Sequence, residues 1–188
     1  MKDSLEIISN EVRQCTQCGL SENRTNAVPG EGSAKAQIIF IGEGPGAEED
    51  KQGRPFVGRS GKFLREMITM VGLQESEVFI ANVVKCRPPG NRDPKPEEIT
   101  TCRPYLDRQL AVINPRIIVT LGRHAMEREL PGMKISQVHG KVFRRKNGII
   151  YVPLYHPAVA LYSPLQKEVL IKDMKKLPRL IAQIKKGE

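Results

Sequence analysis

Apolar residues in this chain follow two periods. Gln37-Ile38-Ile39-Phe40-Ile41, Val78–Val84, Arg116–Leu121 and Gly148–Leu154 are short, nearly continuous apolar runs, the pattern of strands buried on both faces. Between them the spacing becomes helical. Leu5, Ile8 and Val12 predict a helix over residues 3–14, capped by Asp3 or Ser4. Leu64, Met67, Ile68 and Val71 form one stripe of a helix over 62–71 that Gly72 ends. Ile99, Cys102, Leu106, Leu110 and Ile113 line one side of a helix over 97–113, and a short helix runs from Gly122 towards Leu130. From about Leu165 the pattern is helical and basic, interrupted by Pro178. Residues 20–36 read as loop. Val138–Arg145 and Gly148–Leu154 flank Lys146-Asn147, a hairpin signal with Asn-Gly at its centre.

Strands alternating with helices predict a three-layer α/β/α domain over residues 1–188, with a central, mostly parallel, four-stranded sheet. Open sheets of this kind bind ligands beyond the carboxyl ends of their strands. That rule brings the loop after Ile41, the strand end at Asn82 and the segment Tyr155-His156-Pro157-Ala158 to one rim.

The loop beginning at Gly42 reads GEGPGAEEDKQGRPFVGRSG. Its glycines suit a backbone that turns sharply and comes close to a ligand. It lacks the Lys-Ser/Thr pair of a P-loop, and Pro45 removes an amide that would cradle phosphate. A dinucleotide fold would also place a helix directly after the glycines, where Glu48-Glu49-Asp50-Lys51 and Gly53 intervene. Phe56, between a proline and a glycine, reads as a presented ring or a core plug. His156 is a candidate for charge stabilisation, whereas His124 and His139 read as structural or surface residues.

Composition adds a partner class and a metal class. The 188 residues carry 30 Lys and Arg against 21 Asp and Glu, a formal charge of +9, which favours a polyanion. The lack of Trp and the 5% aromatic content speak against a carbohydrate or aromatic-cage platform. No stretch is apolar enough for a signal peptide or a membrane span, so the expected location is the cytoplasm. The Cys15–Cys18 and Cys86–Cys102 pairs use all four cysteines. Four thiolates meeting at one centre would hold zinc or an iron–sulfur cluster. The lysines at 167, 172, 175, 176, 185 and 186 read as a solvated helix face.

Taken together, GEGPGAEED, GRPFVGRSGKFL, NVVKCRPPGNRDP and YHPA, in this order and spacing with these four cysteines, resemble the family 4 uracil-DNA glycosylases. That family is the iron–sulfur branch of the uracil-DNA glycosylase superfamily, and the resemblance covers nearly the whole chain. It implies hydrolysis of the N-glycosidic bond of uracil flipped out of DNA, leaving an abasic site. It further implies that Phe56 stacks on the base and that Asn82 reads its edge. His156 would stabilise the departing uracil anion. Gly44 stands where better-known branches carry an Asp, so the catalytic water is assigned to Glu49 with Asn91, and Glu43 shapes the pocket. Tyr162 or Leu161 would wedge into the gap left by the base. Cys15, Cys18, Cys86 and Cys102 would hold a [4Fe–4S] cluster, and Arg87, Arg92, Lys95 and Arg103 would grip phosphates. The expected partner is uracil-containing DNA, engaged by a monomer with no membrane. Two readings from other classes stand beside this one: a non-catalytic DNA-binding accessory protein with a structural metal site, and a nucleotide-binding enzyme using the glycine loop.

Overall fold

A computed structural model of the chain describes residues 3–145 and 148–185. In chain order the elements are α1 (Leu5–Gln14), β1 (Glu31–Gly32), β2 (Ile38–Gly42), α2 (Ala47–Gln52), α3 (Arg59–Met70), β3 (Val78–Asn82), α4 (Pro96–Ile113), β4 (Ile117–Leu121), α5 (Arg123–Glu129), α6 (Ile135–Val138), β5 (Phe143–Arg144), β6 (Ile150–Leu154), α7 (Pro164–Met174) and α8 (Leu177–Lys185). The sheet order is β1-β3-β2-β4-β6-β5. The four inner strands are parallel, and β1 and β5 add short antiparallel edges. The sheet therefore has six strands where four were expected. The two extra ones are two residues long, and their sequences, Glu-Gly and Phe-Arg, carry no apolar run that could announce them.

Alternation along the inner strands makes three layers, because successive side chains point to opposite faces. Ile39 and Ile41 of β2 pack with α1, α4 and α5, whereas Ile38 and Phe40 pack with α3, α7 and α8. Ser4 caps α1 by accepting the Ile7 N–H at 3.2 Å. The basic C-terminal segment is two helices, and Pro178 sits in the first turn of the second, where a proline lacks no needed donor. The break precedes it, at Lys175-Lys176.

Two further expectations change. Residues 47–52, read as part of the glycine loop, form the helix α2 directly after Gly46. Its acidic residues lie in the first turn, where the helix dipole favours them, so the run has polar helix chemistry without an apolar stripe. Val138 ends the short helix α6, so the first arm of the expected hairpin contributes only Phe143 and Arg144 to the sheet. The Lys146-Asn147 turn and Lys186 lie outside the described residues. Strand order reverses at β2, with β3 on one side and β4 on the other. Such a switch point opens a crevice at the strand ends, and the glycine loop leaves β2 there.

Candidate active site

A cavity of about 300 Å³ opens over that switch point. It is lined by all seven residues assigned to the base pocket in the sequence, Glu43, Gly44, Glu49, Phe56, Asn82, Asn91 and His156, and by Arg92 of the expected phosphate contacts. Four strand ends bring them together. Gly42 ends β2, Asn82 ends β3, Gly122 follows β4 and His156 follows β6. The Val83 and Val84 N–H groups extend the β3 pairing by donating to the Gly42 and Glu43 carbonyls at 2.9 and 3.1 Å.

Asn82 is 2% exposed, yet its Oδ1 is buried without a hydrogen-bond partner among the described residues. A buried acceptor left unmade costs about 1–3 kcal/mol, so the amide is suited to a ligand that donates. Gly42 makes room for it. A Cβ there would lie 2.5 Å from both Asn82 Oδ1 and Phe56 Cζ, closer than any side chain can stand.

Phe56 is held in a left-handed conformation, φ 51°, which costs a non-glycine residue on the order of 1–3 kcal/mol. Its surroundings over-determine that turn. Arg65 donates from Nε to the Phe56 carbonyl at 3.0 Å and from Nη2 to the Pro55 carbonyl at 2.9 Å. Gly61 lets the turn pack against α3, since a Cβ there would sit 2.1 Å from the Phe56 carbonyl carbon. Glu49 closes the next turn, with Oε1 accepting the Val57 and Gly58 N–H groups at 2.8 and 2.7 Å. Oε2 lies free of those bonds beside Gly46, where a Cβ would come within 2.8 Å of it.

The Phe56 ring stacks near His156, centroids 5.8 Å apart and planes 30° apart. His156 Nδ1 accepts the Ala158 N–H at 3.1 Å, which leaves the ring proton on Nε2. Burial lowers the His156 pKa to about 4, although one edge of the ring faces the cavity. The residue is therefore a neutral donor at physiological pH. Glu43 is pushed the other way, its carboxyl raised chiefly by burial. Gly44 is tightly flanked, because a Cβ would meet Val84 Cγ2 at 2.8 Å. An acid at this position would require Val84 to move. Asn91, also left-handed at φ 54°, accepts from Arg87 Nε at 2.8 Å at the rim.

Below the loop that follows β3, the four cysteines line a second, small cavity with Arg24 and Lys85. All four are free thiols. Arg24 Nη1 donates to Cys86 Sγ at 3.0 Å, and the Lys85 backbone N–H donates to Cys102 Sγ at 3.2 Å. Burial raises the Cys86 thiol pKa and pushes Cys102 up to about 11. Four soft donors converging from α1, its following turn, the β3–α4 loop and α4, with N–H groups aimed at sulfur, fit a thiolate-bound metal centre.

Residues 29–178 match the family model of the uracil DNA glycosylase superfamily. The chain belongs to the uracil-DNA glycosylase superfamily. It is 53% identical over 187 residues to the type-4 uracil-DNA glycosylase of Sulfurisphaera tokodaii, covering 95% of this chain and 85% of that one. The type-4 uracil-DNA glycosylase of Thermotoga maritima is 42% identical over 184 residues, 96% of each chain. A type-5 uracil-DNA glycosylase of Mycobacterium leprae is 30% identical over 178 residues, 80% of this chain and 77% of that one.

Two residues that stand close to Glu43 without lining the cavity, His124 and Asp93, were not singled out as site candidates. His124 Nε2 lies 3.8 Å from Glu43 Oε2 and 3.6 Å from Asp93 Oδ1, in a largely buried side chain. Its signal was available, because Gly122-Arg123-His124 leaves β4 on the same rim. Asp93 also pairs with Arg123. His139, in contrast, is bonded through Nδ1 to the buried Asp173 at 2.6 Å, away from the site.

Proposed function

We propose that this protein is a monofunctional DNA repair glycosylase that flips uracil out of DNA and hydrolyses its N-glycosidic bond, leaving an abasic site. The observation that carries this reading is the unpartnered, buried Asn82 Oδ1 in a cavity walled by Phe56 and His156. Uracil offers an N3–H donor to that oxygen and its O4 to the amide nitrogen. Cytosine presents the opposite polarity at both positions and leaves both groups mismatched, the kind of readout that discriminates most strongly. Extrusion of the base costs a few kcal/mol, and stacking on Phe56 offsets part of it.

As the glycosidic bond breaks, negative charge develops on uracil O2. His156 Nε2–H donates to it and returns no proton to bulk water, because the neutral ring already holds the proton on the correct nitrogen. The sugar cation formed on the other side bonds to the oxygen of a water held by Glu49 Oε2 with Asn91; Glu49 takes the proton that this water sheds and releases it to solvent, from which the departed uracil anion is protonated. Glu43 shapes the pocket floor from its contact with His124. Tyr162, 83% exposed beyond the His156 turn, fills the gap in the stack. The strongly exposed phenol suits this role better than the half-buried Leu161.

Cys15, Cys18, Cys86 and Cys102 hold a [4Fe–4S] cluster in this reading, supported by the donor set and the resemblance to the iron–sulfur branch. Such a cluster supplies a rigid cross-link between α1, α4 and the loop after Asn82. Electron transfer has no part in a hydrolysis. Lys95 and Arg103, which are exposed, reach DNA phosphates most freely, while Arg92 is tied to Glu98 at 2.6 Å. The protein works as a cytoplasmic monomer, one domain over residues 1–188. No helix among the described residues is long and apolar enough to cross a membrane.

Incubation with a uracil-containing oligonucleotide, followed by alkali, should cleave the strand at uracil only. Matched thymine and cytosine strands should stay whole. An uncut uracil strand would overturn the assignment.

A further inference from the structure

Lys85 is 1% exposed, and the groups it touches are neutral. Its ammonium donates to the Asn82 carbonyl at 3.0 Å and to Gln109 Oε1 at 2.7 Å. Gln109 Nε2 in turn donates to the Pro29 carbonyl at 2.8 Å. Among the described residues no carboxylate pairs with this lysine. A buried ammonium without a carboxylate partner is costly, and proteins keep one where a countercharge or a reaction requires it. Reaction with the substrate is ruled out by position, because Lys85 is among the residues lining the cysteine cavity and not among those lining the base cavity.

The countercharge lies on the cysteine side. The Lys85 backbone N–H donates to Cys102 Sγ, its carbonyl accepts the Val28 N–H at 2.7 Å, and its chain neighbour is Cys86. Arg24 approaches the same group of sulfurs at Cys86, where Nη1 lies 3.0 Å from Sγ. Four thiolates around an iron–sulfide core carry net negative charge, and these two cations are placed to balance it. One of them also grips the strand end that presents Asn82.

We propose that Lys85 is the buried countercharge of the cysteine centre and a positioning residue that couples that centre to Asn82. This rests on the reading that the cysteines hold an iron–sulfur cluster. The ammonium is drawn towards the thiolates and fixes the Asn82 carbonyl as it does so. Assembly of the centre thereby sets the amide that reads the base.

The test uses full-length wild type, Lys85→Met and Gln109→Glu, purified without oxygen. Iron per chain, midpoint potential from a dye-mediated redox titration, and kcat and KM on a uracil oligonucleotide are measured. Lys85→Met should bind less than half the wild-type iron or, where iron is kept, show a more negative midpoint potential. Removing a cation disfavours adding an electron. Its KM should rise about tenfold, as expected for loss of a charge-assisted hydrogen bond, with a smaller change in kcat. Gln109→Glu neutralises the ammonium without touching Lys85 and should move the potential in the same direction. It decides alone if Lys85→Met fails to fold by far-UV circular dichroism. Wild type without iron overturns the cluster reading, and this inference with it. Wild type with iron, and variants whose potential, iron content and KM are unchanged, overturn the Lys85 inference only. Variants that merely melt earlier at an unchanged potential overturn it as well.

Discussion

The base cavity and the cysteine centre lie on either side of the same strand end, and they are built on opposite rules. The cavity keeps polar groups unmet and backbone under strain: Asn82 Oδ1 has no partner, and Phe56 and Asn91 sit at positive φ. The cysteine centre sits against the core layer of α1 and α4, where Cys86 and Cys102 already receive N–H donors. A group left unsatisfied in the free protein lowers stability and is repaid by substrate. A group satisfied in the free protein supports the fold. Substitutions in the two regions should therefore separate activity from stability.

The largest separation is expected in the cavity. Asn82→Ala and His156→Ala should each slow single-turnover uracil release by roughly 10²–10³-fold, the usual cost of one donor aimed at developing charge or of one lost readout group. Asn82→Ala removes an unpartnered acceptor, and His156→Ala removes the ring stack on Phe56 and the cap on Ala158 N–H, a cost of about 1 kcal/mol. The melting temperature should stay within a few degrees of wild type, or rise for Asn82→Ala, where the orphaned acceptor disappears. Near wild-type release by both variants would remove Asn82 and His156 from the mechanism.

The cysteine centre should behave in reverse. Cys102→Ser takes a soft donor from a site shared by α1, α4 and the β3–α4 loop, and structural metal sites contribute folding free energy directly. A loss of several kcal/mol corresponds to a fall of about 10 °C or more, at roughly 2–4 °C per kcal/mol for a chain of this size. Iron content should fall with it. Uracil release, measured well below the new melting temperature, should suffer less than in the cavity variants. If Cys102→Ser melts like wild type and still carries full iron, the cysteine centre is assigned to the wrong residues.

The contrast also explains what the sequence could reveal. The four inner strands were legible because burial on both faces demands uninterrupted apolar runs, as in Ile38–Ile41 and Ile117–Val119. The rim was legible because those strands are parallel and must end on one side. β1, β5 and α2 were hidden. Glu31-Gly32 and Phe143-Arg144 are held by pairing to neighbours rather than by their own pattern, and Ala47–Gln52 is too short and too acidic to show an apolar stripe. Lys85 was hidden for a different reason. Within Val84-Lys85-Cys86-Arg87 it looks like one more basic surface residue, and only the fold turns it inward. His124 was legible as a residue of the rim, because it follows β4, but its neighbours Glu43 and Asp93 come from other loops and only the fold brings them to it.

The smallest expected effect is a pH dependence that belongs to the cavity alone. Burial lowers the His156 pKa to about 4, below the ordinary histidine value of 6.5. The fold thus favours the neutral ring. The stability this contributes is complete above pH 6.5 and is lost as pH falls from 6.5 towards 4, by at most about 1.4 kcal/mol per unit. Glu43, raised by burial, has the opposite sign: its ionised form is the disfavoured one, so acid relieves part of its cost. Ion-paired acids such as Glu98, lowered by Arg92, lose their contribution as pH falls through the ordinary value of 4.5, below this window. Between pH 6.5 and 5 the histidine is the main contributor of the three. Wild type should lose a few degrees of melting temperature across that window, and His156→Asn should lose less. Uracil release should stay level across the same window, because the Nε2 donor remains in place while Nδ1 is bonded to Ala158. A drop in release centred at pH 6.5 would mean that His156 titrates like a histidine in water. The built-in neutral donor would then be wrong.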